Sequence, residues 1–152
     1  MVSFALPALS LLVTLLTPLT TAVSTAPPFK MLVIPSSSAP AAPIYLTQSG
    51  STTTSKQNAP ICWNSYTTEL FCGDYSHPMG VPSPSSTSIL KPCADNTPCA
   101  TKAFAINPDN LSVGWAGKEF WYSPSSGQVW AADAGRGAPE GMVKTILRAG
   151  FS

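Results

Sequence analysis

Four cysteines, Cys62, Cys72, Cys93 and Cys99, are the residues of this chain best suited to covalent or metal chemistry. Nine residues separate the first two, twenty the middle two and five the last two. A structural zinc site usually brings cysteines together at spacings of roughly two to four residues and adds further Cys or His. Neither short interval fits, and His77 is the only histidine, so no metal is expected. An even cysteine count in an exported chain points instead to two disulfides, for which three connectivities exist. Local pairing closes the smallest loops at the lowest entropic cost, which favours Cys62–Cys72 and Cys93–Cys99.

Acid–base chemistry would need carboxylates or a histidine brought together by the fold. Glu69, Asp74, Glu119 and Asp133 are available for a glycosidase-like pair, and His77 for a ribonuclease-like site. No motif supports either. The chain has no Gly-x-Ser-x-Gly and no His-Glu-x-x-His, and the cysteines are accounted for by disulfides. These absences weigh against an enzyme, and no catalytic residue is assigned. The segment Gly135-Arg136-Gly137-Ala138-Pro139-Glu140-Gly141 imitates a phosphate-cradling turn before a helix. Its glycines are one residue off the dinucleotide spacing, and too little chain follows for a second strand. It reads as a strand-to-helix turn, and no cofactor is expected.

The aromatic set Trp115, Trp121, Tyr122 and Trp130 is the remaining constellation. Such rings either fill a core or form a flat platform for a sugar chain or a partner protein. Core packing is the commoner use. If a platform exists, Trp121 is the expected binding residue and Trp130 the structural one.

The elements that would position these residues are mostly short strands. Ile61-Cys62-Trp63 and Tyr66–Cys72 read as strands joined at Asn64-Ser65. Gly73–Pro92, with its prolines and the polar Ser83–Ser88 run, reads as a long loop. Thr101–Ile106 is strand-like, Asn107-Pro108-Asp109-Asn110 is a turn, and Leu111–Val113 is a short strand. The clearest hairpin runs from Glu119–Tyr122 through the turn Ser123–Gly127 into Gln128–Ala131. Pro139–Ala149 reads as a helix, with Pro139 in the first turn, Gly150 as the cap, and Glu140, Lys144 and Arg148 in an exposed i, i+4 row. The expected fold is therefore mainly β, a small α+β domain of short antiparallel strands with one C-terminal helix, held by disulfides.

Composition divides the chain. The first nineteen residues carry no charge and are mostly apolar or Thr, as in a secretory leader, with cleavage expected after Ala22 or as late as Ala26. Pro7, Pro18 and the following threonines argue against a spanning helix. Residues 23–58 read as a flexible arm rich in Pro, Ser and Thr, with Met31–Ile34 and Ile44–Leu46 as apolar islands lying on the domain as edge strands. The domain is expected over 59–152. Asn110-Leu111-Ser112 is a sequon for N-linked sugar.

Eight Lys and Arg against seven Asp and Glu, all at or beyond Lys30, leave no basic cluster of the kind that nucleic acids require. In composition the chain is similar to small secreted proteins through which microbes act on a host. The expectation is a secreted interaction protein, an effector or elicitor whose partner is a host or cell-wall protein or glycan. A carbohydrate-binding module is the alternative and a small hydrolase the more distant one.

Overall fold

A computed structural model describes residues 27–37, 40–74, 76–83 and 87–151. The leader assigned to residues 1–22 lies outside this range. The described residues form strands and turns, with no helix. The mainly β, disulfide-held class stands; the helix does not.

The main sheet takes strands from both ends of the chain. In order across the sheet it comprises β3 (Thr52–Thr53), β2 (Ile44–Leu46), β1 (Lys30–Pro35), β14 (Val143–Gly150), β12 (Lys118–Ser123), β13 (Gln128–Asp133) and β7 (Thr87–Ile89). A branch of β10 (Phe104–Ile106) and β11 (Ser112–Trp115) joins it through β14. Two smaller units complete the fold. One is the hairpin of β4 (Cys62–Asn64) and β5 (Leu70–Cys72); the other pairs β6 (Met79–Pro82) with β8 (Lys91–Pro92) and β9 (Cys99–Ala100).

The segment expected to be a helix, Pro139–Ala149, instead supplies β14. Thr145, Leu147 and Ala149 are buried while Lys144, Ile146 and Arg148 are exposed, which is a period of two. A helix would have buried Ile146 beside Leu147; here Ile146 is 54% exposed. Val143, Thr145 and Ile146 are β-branched and stiff at χ1, which suits a strand. Neighbours on both sides complete its backbone hydrogen bonding: β1 pairs along its length from Pro35↔Thr145 to Lys30↔Gly150, and β12 and β11 pair on the other side. The Gly135–Gly141 segment therefore joins β13 to β14 and opens no helix.

The Met31–Ile34 island is not an edge strand. It lies in β1, between β2 and β14. Met31, Val33 and the preceding Phe29 are buried with Leu46 from β2. The supposed arm thus contributes three strands of the main sheet. The Ser/Thr-rich part of it is anchored too: Gly50 sits at φ +82, and a Cβ there would lie 2.4 Å from the Leu90 carbonyl oxygen. Only glycine tolerates both the conformation and the approach.

The region read as the loop Gly73–Pro92 carries β6, β7 and β8 and puts Met79, Val81 and Leu90 out of contact with solvent. Pro82 and Pro92 stand at the ends of β6 and β8, where no interior ladder bond is lost. The β12–β13 hairpin lies where its sequence placed it, in register from Lys118↔Asp133 to Ser123↔Gln128. Gly127 closes the turn at φ +64, its N–H donating to the Ser123 carbonyl at 2.8 Å. The disulfides are Cys62–Cys72 and Cys93–Cys99, the local pairing, and no described cysteine is free.

Candidate functional site

The aromatic set does not converge on an open platform. Trp115 is buried, stacked on Phe104 with centroids 4.4 Å apart, and its Nε1–H donates to the Lys102 carbonyl at 2.7 Å. Trp121 and Trp130 face each other across the β12–β13 hairpin. Trp121 is only 7% exposed, Trp130 is half-buried, and neither indole N–H finds a partner. Exposure thus runs opposite to the expected assignment of Trp121 to binding and Trp130 to structure. Tyr122 packs half-buried against the core. Both faces of this hairpin are covered.

A different hairpin presents apolar side chains outward. In β4–β5, Cys62 and Cys72 stand directly opposite each other and are fully buried. The Cys62 backbone turns its N–H and C=O to Phe29, at 2.7 and 2.9 Å, which fastens the hairpin to the start of β1. Because strand side chains alternate, pinning Cys62 inward sends Ile61 and Trp63 outward, with Phe71 opposite Trp63. Trp63 and Phe71 stack in parallel, 5.4 Å apart and 5° from coplanar. Ile61 is 52% exposed, and Tyr66, on the turn between the strands, is 70% exposed. Sequence reasoning missed this face, although the disulfide pairing together with strand alternation pointed to it.

Three of the carboxylates that could do acid–base work are engaged by partners of their own. Glu119 pairs with Lys144 at 2.8 Å, Asp133 pairs with Lys118 at 2.6 Å, and Glu69 accepts from Thr67 and Thr101. These ion pairs hold Glu119 and Asp133 below their ordinary carboxylate range.

His77 does find partners. Its Nδ1 lies 2.6 Å from Asp74 and its Nε2 lies 3.5 Å from Asp95. Both ring nitrogens thus face carboxylates, and Asp74 also accepts from the Ser76 backbone N–H at 2.8 Å and from its side chain. The arrangement is an ionic clasp between the segment before β6 and the Cys93–Cys99 loop. The hydrogen bond that the His77 ring donates to Asp74 raises the His77 pKa and lowers that of Asp74.

The sign of the pH dependence follows. The contribution of His77 is complete below its ordinary value of 6.5 and fades as pH rises through its higher folded-state value. That of Asp74 is complete above its ordinary value of 3.8 and fades on acidification. The clasp therefore stabilises most between pH 3.8 and 6.5. Thermal melts of the wild type and of His77→Gln should differ within that window and converge towards pH 9 (roughly two units above the histidine range). Parallel curves throughout would show that the clasp contributes nothing.

Comparison with known protein families, with characterised proteins and with solved structures finds no match to this chain.

Proposed function

We propose that this chain is a secreted interaction protein, an effector or elicitor acting outside the cell, and that it engages its partner through Ile61, Trp63, Phe71 and Tyr66. One observation carries the reading. Large apolar and aromatic side chains face outward on a hairpin whose other face is locked into the core by a disulfide. Aromatic side chains on a rigid support dominate recognition energetics, because few rotamers are lost when a partner binds. The apolar leader and the two buried or half-buried disulfides fit export to an oxidising environment. Asn110 lies exposed on the turn before β11, which supports use of its sequon; enzymatic removal of N-glycans should then reduce the mass of secreted material.

The partner is a host or wall protein. A wall glycan is the rival, and the near-coplanar Trp63–Phe71 stack is what favours it, since a pyranose face can extend such a stack. The double variant Ile61→Ser/Tyr66→Ala separates surface from core. Both side chains stand mostly in solvent, so the melting temperature should stay within about 2 °C of wild type. Capture on immobilised host extracellular proteins should fall at least tenfold, with binding to chitin and glucan absent in both forms. Retention of wild-type capture by the variant would move the recognition surface elsewhere; binding to glycan alone would give the rival its case.

A further inference from the structure

The main sheet forks where β14 meets two strands on the same side. Val113 pairs with Leu147 and Phe120 pairs with Thr145, so residues 114–119 stand opposite Ile146 alone. Those residues carry β11 away towards β10 and start β12 towards β13. A groove of about 560 Å³ opens at the fork. That volume suits a small molecule.

The lining is chemically divided. Ile146, 54% exposed, and its cross-strand partner Ile34 supply apolar surface. Three lysines and arginines reach the groove. Lys118 and Lys144 are held by Asp133 and Glu119, and Arg148 has no ion pair among the described residues. Arg148 lies two residues along β14 from Ile146 and on the same face, about 7 Å away by strand geometry.

We propose that this groove binds a small carboxylic acid with an apolar body, aryl or medium-chain acyl. The carboxylate pairs with the Arg148 guanidinium, whose planar fork matches it in two-point geometry. The apolar body lies over Ile146 and Ile34, which pair across β14 and β1 on the face that carries Arg148. This site is separate from the β4–β5 face and does not depend on what that face binds.

Gly114 offers the decisive variant. It lines the groove, its φ lies outside the left-handed region, and a Cβ there would meet nothing nearer than the Ala105 carbonyl oxygen at 3.9 Å. A leucine at this position therefore fills the groove without straining the backbone. The probes are anilinonaphthalene sulfonate, which is anionic, and phenylnaphthylamine, its neutral relative, followed by fluorescence. Wild type should bind each at one saturable site. Arg148→Gln should weaken the sulfonate about tenfold and leave the neutral probe unchanged. Gly114→Leu should abolish both while melting as wild type does. Dodecanoate displacing the sulfonate assigns an acyl body, and naphthoate displacing it assigns an aryl one. Displacement by neither acid, unchanged binding by Gly114→Leu, or full sulfonate affinity in Arg148→Gln would overturn the proposal.

Discussion

A chain beginning at Ala59 is expected to be unfolded at room temperature, whereas one beginning at Pro27 should fold. The shorter chain lacks β1, β2 and β3, and with them Phe29, Met31, Val33 and Leu46, all buried. Burying one such side chain contributes about 1.5–3 kcal/mol, so the four together contribute about 6–12 kcal/mol. Total stability of a domain is only about 5–15 kcal/mol. The loss also strips β14 of its partner along the register from Lys30↔Gly150 to Pro35↔Thr145. An exposed, unpaired strand rich in Val, Ile and Leu invites aggregation. Far-UV circular dichroism and amide proton dispersion of the two chains would decide the matter. A cooperative melt from the chain starting at Ala59 would mean that β1 is an accessory strand.

Loss of the Cys62–Cys72 disulfide should be the next largest effect, and larger than loss of Cys93–Cys99. Closing a loop of sequence separation 10 restrains the unfolded chain by nearly 3 kcal/mol. Both of these sulfurs are fully buried, so the paired Cys62→Ala/Cys72→Ala variant also loses packing, for a total of about 3–5 kcal/mol. The second bridge spans a separation of 6 and has Cys99 half-buried, so its Cys93→Ala/Cys99→Ala counterpart should cost about 2–3 kcal/mol. Urea unfolding of the two variants, read against wild type with slopes compared, gives the order. A larger loss from the Cys93–Cys99 variant would show that the small β6–β8–β9 unit, and not the β4–β5 hairpin, holds the fold together.

What was legible in the sequence was local. The β12–β13 hairpin announced itself because aromatic and β-branched runs flank a Ser-Pro-Ser-Ser-Gly turn, and each of those signals acts within a few residues. The disulfide pairing followed from loop closure alone. The proposed recognition face did not follow from aromatic content. Trp121 and Trp130 look like a platform in a list of residues, and the fold covers both sides of their hairpin. Ile61, Trp63 and Phe71 look unremarkable until the Cys62–Cys72 bridge fixes which way they point.

The amino-acid sequence by itself determined a disulfide-held, mainly β domain with two local bridges, a turn at Asn107–Asn110 and one strong hairpin. Only the tertiary structure decided between helix and strand for Val143–Gly150. Lys144 and Arg148 fit a helical row, while Val143, Thr145, Leu147 and Ala149 fit strand alternation, and the same residues satisfy both periods. The strand wins because β1 on one side and β11 and β12 on the other complete its hydrogen bonds, and those partners come from far along the chain. For the same reason Met31–Ile34, too short to declare itself among prolines, became an interior strand. The fork at Ile146 had no local signal at all: it exists because β11 and β12 reach the same side of β14 from different directions, a relation between distant segments that no window of sequence contains.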